Sequence, residues 1–150
     1  MNTEKNMEKY NIYRSMHDNL SKAMKAGFYY QAIFIEYAIL EDRLTSVLKY
    51  SQVPYLNRNG REINISDKIK RILEAEELSA SFVKKRLSEQ LMQMTKEWIA
   101  RRNDLIHHLA NIPYDNEAVK LVAEDGAELC RQIKNKTDSV NNYLKKGSQL

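Results

Sequence analysis

Apolar residues are sparse along the first 26 positions. Tyr10, Tyr13, Met16, Leu20, Ala23 and Met24 recur at helical steps among charged residues, which predicts a helix from about Thr3 to Ala26 lying on a bundle rather than at its centre. Thr3 is a candidate N-cap and Gly27 marks the stop. In the next stretch, YYQAIFIEYAILEDRLTSVLKY, the stripe is dense. Tyr30, Ile33, Phe34, Tyr37, Leu40, Leu44, Val47 and Leu48 repeat at three- and four-residue steps, so this helix belongs in the core. Glu36, Glu41 and Asp42 fall off that stripe and are expected on a solvated face, with Glu41 or Asp42 near basic neighbours.

The periodicity lapses in VPYLNRNGREINIS, where Pro54 and an Asn59-Gly60 turn predict an exposed loop or hairpin-like excursion. Ser66 and Asp67 read as the cap of a short helix through about Ala75, with a break near Ser79. From about Ser81 to Asn111 the pattern predicts the longest helix. Its inner face carries Leu87, Leu91, Met94, Trp98, Leu105 and Ile112, widened by Met92, Ile99 and Ile106. After Trp98 the pattern goes wrong: Arg101 and His108 stand where apolar residues should recur, and Arg102 also falls inside the apolar arc. Charges in a buried arc are costly unless paired, so this helix end should meet a polar surface or line a cleft. Pro113 ends it. Asp115 is placed to cap a last helix through about Leu144, with Val119, Val122, Leu129, Ile133, Val140 and Leu144 inward. The tail, 145–150, is expected to fray.

Composition agrees with an all-α reading. Four glycines and two prolines leave few turn formers in 150 residues, a length that suits one domain over 1–150. The expected architecture is an antiparallel helical bundle of four main helices and one short one. A lone cysteine, Cys130, excludes an intramolecular disulfide, and no Cys or His spacing matches a structural zinc site, so neither metal nor cofactor is expected. The N-terminus lacks the apolar core of a signal peptide, and no run approaches the roughly 20 apolar residues that cross a bilayer, which points to a cytoplasmic protein off the membrane. A net charge of +4 and a pI near 9.1 permit a polyanionic partner.

The chemistry concentrates in IARRNDLIHHLANIP, residues 99–113. Asn103 with His107, Asp104 with His108, and Glu97 with Arg101 are each four apart and share a helical face. Arg102 and His107 are five apart, roughly 140° around an ideal helix, so a joint site needs a distorted helix end or a second copy of the helix. An arginine that clamps phosphate and a histidine that moves a proton near neutral pH suit phosphoryl transfer. On RNA the ribose 2′-hydroxyl is a built-in nucleophile. Zinc binding by adjacent His107 and His108 fits poorly, because neighbours point about 100° apart. His17 reads as a surface residue, most tyrosines as core or core edge, and the clusters Lys68, Lys70, Arg71 and Lys84, Lys85, Arg86 as solvated faces able to steer RNA.

RNDLIH, Arg102 to His107, resembles the signature of the HEPN superfamily: an arginine, four to six residues, then a histidine, with a polar residue directly after the arginine, here Asn103. The motif's place late in a long helix, and the plan of four to five helices over the whole chain, fit the same family. The resemblance implies a homodimer with the two motifs facing across a groove. It further implies a metal-independent endoribonuclease leaving a 2′,3′-cyclic phosphate, of toxin–antitoxin or antiviral defence type, with RNA and an antitoxin or regulatory protein as partners. Arg102 and His107 are then the catalytic pair, with Asn103, Arg101, Asp104 and His108 in support. Where one branch carries a modifiable tyrosine two places after the histidine, this chain has Leu109, so control by nucleotidyl transfer there is not expected. Two other readings stand beside it: an inert HEPN-like module binding RNA, nucleotide or protein, and a generic helical interaction protein.

Overall fold

The computed structural model describes residues 3–147, and they form an all-α bundle. Its helices are α1 (Thr3–Ala26), α2 (Tyr29–Ser51), α3 (Ile65–Glu74), α4 (Ser81–Arg86), α5 (Glu89–His107) and α6 (Asn116–Gly147), with a 3₁₀ turn at Glu76–Leu78. No described helix is long and apolar enough to cross a membrane.

Helix α1 behaves as its thin stripe predicts: only Leu20 and Ala23 are fully buried. Its N-cap lies outside the described residues, and Thr3 is already helical. Gly27 takes φ +77°, a conformation open to glycine without steric cost, and turns the chain so that Lys9 and Tyr13 meet Asp42 and Arg43 near the end of α2. The two helices form an antiparallel pair.

Helix α2 is the centre of the molecule, packing on α1, α3 and most extensively on α6. Its partnership with α6 departs from the antiparallel expectation. Glu36 meets Cys130, Arg43 meets Asp138 and Ser46 meets Asn141, offsets of 94, 95 and 95 residues. A constant offset means parallel helices, and the chain between them returns through α4 and α5, which run against α6: from α4, Phe82 stacks on Tyr143 and Arg86 Nε donates to Ser139, and from α5, Trp98 Nε1 donates to the Val122 carbonyl.

The loop after α2 closes as a small hairpin, with Ile63 N donating to the Tyr55 carbonyl, Asn57 N to the Arg61 carbonyl, and Gly60 at φ +75°. Helix α3 begins two residues earlier than expected, because Asn64, not Ser66, is the cap: its side chain accepts from Asp67 N at 2.8 Å. The expected long helix from Ser81 to Asn111 is two helices. The chain breaks at Leu87–Ser88, where the Ser88 hydroxyl accepts from Leu91 N and caps α5, and α5 ends at His107 rather than continuing to Asn111. Helix α6 is therefore the longest. The Asp115 carboxylate caps it as expected, accepting from Glu117 N and Ala118 N. Of the tail expected to fray, Lys145–Gly147 are helical and 148–150 lie outside the described residues.

Two charged residues sit in the core against expectation. Lys68, assigned to a solvated basic face, is fully buried and pairs with Glu62 at 2.8 Å and Glu41 at 3.8 Å. Glu36, assigned to a solvated face of α2, is also fully buried, and both its carboxyl oxygens lack a hydrogen-bond partner. It is held there by close approach. A Cβ on Gly126 would stand 2.4 Å from Glu36 Oε1 and 2.7 Å from Trp98 Cζ2, so only glycine lets α6 come this near. Burial, with the Asp125 charge behind it, pushes the Glu36 carboxyl up to about 9.

Candidate functional site

The end of α5 leaves the core within two turns. Trp98 and Ile99 are buried, Arg102, Asn103, Leu105 and Ile106 are half-buried, and Arg101, Asp104, His107 and His108 are exposed. Beyond them the apolar arc runs on uncovered: Leu109, Ile112 and Tyr114 are exposed, as are Phe28 and Phe34 at the start of α2. Tyr114 lies against Tyr30, ring centroids 5.8 Å apart, so the α5–α6 turn abuts the beginning of α2.

The two adjacent arginines have different surroundings. Arg101 reaches across to α6 and pairs with Asp125 at 2.8 Å, so its charge is matched on an exposed surface. It does not pair with Glu97, which accepts instead from Gln93. Arg102 turns toward α2. Its guanidinium lies 4.2 Å from the Tyr37 ring centroid and 5.6 Å from that of Phe34, and one Nη donates to Asn103 Oδ1 at 2.8 Å. Its Nε is buried and unpartnered, and no carboxylate pairs with it among the described residues. An arginine laid on aromatic faces keeps its charge and its planar donor fork for a phosphate.

The histidines also separate. His108 is tied back to Asp104, its Nδ1 lying 2.9 Å from that backbone carbonyl and 3.2 Å from Oδ1, which is the pairing their spacing predicts. His107, the last residue of α5, makes no hydrogen bond or ion pair among the described residues; its expected partner Asn103 is taken by Arg102. Since α5 is helical through His107, Arg102 and His107 point roughly 140° apart in one chain.

Sequence reasoning missed the aromatic shelf. Phe34 and Tyr37 read as core stripe, yet Phe34 is exposed and Tyr37 half-buried, and together they carry Arg102. Nothing in their spacing points to an arginine more than 60 residues away. The Tyr37 hydroxyl is pushed up by burial and, secondarily, by Glu41. The basic clusters expected to steer RNA are mostly engaged: Lys68 in the core, Arg71 on the Pro54 carbonyl, Lys84 on the Leu73 carbonyl, Arg86 on Ser139 and the Phe82 ring. His17 is not a surface residue but half-buried edge-on to Tyr13, and burial, then Lys134, pulls it below the usual imidazole range. Among the described residues no three His, Cys, Asp or Glu side chains gather as a metal site requires. Comparison with family models, curated proteins and solved structures gives no match.

Proposed function

We propose that this chain is a HEPN-type endoribonuclease that needs no metal and works as a homodimer. The observation that carries the reading is the contrast between the adjacent arginines: Arg101 is neutralised by Asp125, whereas Arg102 is held on Tyr37 and Phe34 with no carboxylate partner. A positioned but uncompensated guanidinium is what a scissile phosphate requires, with a histidine to move the proton. Because a regular helix keeps Arg102 and His107 apart, a second copy supplies the complementary pair. The exposed Phe28, Phe34, Leu109, Ile112 and Tyr114 are the surface it would cover.

In the reaction, the imidazole of one His107 takes the proton of a ribose 2′-hydroxyl, and that oxygen attacks the adjacent phosphorus. The bond to the 5′-oxygen breaks, the second His107 returns a proton to it, and the products are a 2′,3′-cyclic phosphate and a 5′-hydroxyl. Arg102 binds the non-bridging oxygens as negative charge grows on them. Asn103, bonded to Arg102, positions it; Asp104 and His108 form the outer wall of the groove. The setting that the family resemblance implies is a cytoplasmic toxin or antiviral effector restrained by a partner protein.

One observation favours a second reading. His107 lacks an orienting partner among the described residues, which suits an inert module that binds RNA, nucleotide or a protein through the same end. The deciding experiment incubates the protein with tRNA and total RNA in EDTA, beside His107→Ala and Arg102→Ala variants of unchanged circular dichroism. Cyclic-phosphate ends from the parent alone support the ribonuclease. Intact RNA from a folded dimer that still binds it supports the module.

A further inference from the structure

A second groove lies toward the other end of α2, where α1, α2 and α6 come together. Ser46 in its floor is nine residues beyond Tyr37, roughly 14 Å along the helix axis from the shelf under Arg102. Its volume of about 740 Å³ falls within the roughly 300–1,000 Å³ of small-molecule sites. The charges facing it are Lys9 from α1, Arg43 and Lys49 from α2, and Lys134, Asp138 and Lys145 from α6. Two carboxylates are shared among three of these cations. Asp42 takes Lys9 at 2.9 Å and Arg43 at 3.0 Å, while Asp138 takes Arg43 at 3.3 Å and Lys134 at 3.4 Å. Lys49 lies over the ring of Tyr55, and Lys145 also meets the ring of Tyr50. Among the described residues Lys9, Arg43, Lys49 and Lys134 outnumber the two carboxylates, so the groove keeps a positive excess.

Among the described residues, polar atoms in the floor lack a hydrogen-bond partner. Asn141 is 5% exposed and gives its amide to Ser46 Oγ at 2.9 Å, but its Oδ1 is buried and unpartnered; so are the Tyr13 hydroxyl and Arg43 Nε. A buried polar atom left dry is costly, so a ligand presenting a donor and an acceptor is favoured here. Above them Tyr10 is 59% exposed and Tyr50 44%, large rings open to solvent at the rim.

We propose that this groove binds a nucleotide, with its phosphate among Lys49, Lys134 and Lys145, its base against Tyr10, and a base edge on Asn141 Oδ1 and the Tyr13 hydroxyl. A flat heteroaromatic ring uses the exposed tyrosines and the lone acceptor and donor together. The carboxylates of an acidic peptide only accept, offer the tyrosine rings no flat π face, and meet Asp138. The nucleotide is either free or an unpaired residue of an RNA strand. This inference does not rest on the ribonuclease reading, because no residue is shared with the α5 site.

The test is calorimetric titration of the full chain with AMP, ATP and an uncleavable 2′-O-methyl RNA hexamer, with tripolyphosphate and hexaglutamate as controls. Saturable binding of one nucleotide unit per chain is expected, weakened about tenfold or more by Lys49→Glu and about five- to hundredfold by the exposed Tyr10→Ala, the range for loss of one stacked base. The His107→Ala variant should bind as the parent does. ATP binding as tightly as the hexamer assigns a free nucleotide; a hexamer preference assigns an RNA strand. No saturation at millimolar nucleotide overturns the proposal. So does tripolyphosphate or hexaglutamate binding equally well, or affinity unmoved in both groove variants.

Discussion

From Leu91 to Ile99, α5 buries Leu91, Met92, Thr95, Trp98 and Ile99, although Met94, expected on the inner face, is exposed, and the one hydroxyl among the buried residues, Thr95, is bonded to its own helix at the Leu91 carbonyl. From Arg101 to His107 the same helix carries a guanidinium whose buried Nε, and a histidine whose ring, have no hydrogen-bond partner among the described residues. The first half is arranged so that the folded chain satisfies itself. The second leaves donors and charge for something outside the chain, and residues with that property are where loss of activity and loss of stability should come apart.

Four substitutions sharpen or break that comparison. Trp98→Ala should cost the most, about 3–5 kcal/mol, since it opens a cavity among α5, Glu36 and Gly126 and removes the bond to the Val122 carbonyl; denaturant unfolding with an unchanged slope would measure it. A loss under about 1 kcal/mol would mean that the buried half of α5 is not core. Arg102→Ala should leave the unfolding midpoint nearly unmoved while lowering RNA cleavage by about a hundred- to a thousandfold, read in single-turnover assays. If its effect on stability matches its effect on cleavage, Arg102 belongs with Trp98 as a packing residue.

Glu36→Gln probes the self-satisfied half from the other side, through pH. Burial raises the Glu36 carboxyl to about 9 from an ordinary value of 4.5, so the folded chain holds a proton that the unfolded chain releases above about pH 4.5. The wild-type protein is then penalised as pH rises from about 4.5 through 9, by roughly 3 kcal/mol at pH 7 on one-site linkage. The melting-temperature difference, variant minus parent, should therefore grow more positive between pH 5 and pH 8. A constant difference would place an ionised carboxylate in the core. The smallest effect is expected at Arg101→Ala, which removes one exposed ion pair and should change stability by less than about 1 kcal/mol and cleavage by only a few fold. Equal damage from Arg101→Ala and Arg102→Ala would erase the distinction on which the proposed site rests.

Helix phase made much of this molecule legible from sequence. The thin face of α1, the dense face of α2, the inward residues of α6, the Asp115 cap and the hairpin at Asn59-Gly60 all depend on neighbours within a few positions. The break at Leu87–Ser88 was hidden because Val83, Leu87 and Leu91 keep a four-residue step straight through it, so apolar periodicity outvoted the Ser88 cap. Lys68 and Glu36 misled for a different reason. Whether a charge is buried depends on what another element brings: Glu62 and Glu41 in one case, the missing side chain of Gly126 in the other. In the candidate site, spacing predicted the Asp104–His108 pair, but not which arginine would be neutralised, since Asp125 and the Phe34–Tyr37 shelf arrive from distant helices.

The parallel pairing of α2 with α6 also governs when the fold can exist at all. Its defining contacts join residues 94 and 95 positions apart, and the α1–α2 hairpin alone cannot cover the far side of α2. A chain still emerging from the ribosome carries Ile33, Leu40, Leu44 and Val47 on an unsealed face, together with a Glu36 that remains in water and ionised. Only when α6 is made does that carboxyl take up its proton and the end of α5 find its place beside α2. During synthesis that apolar face therefore stays open to water until α6 has been made.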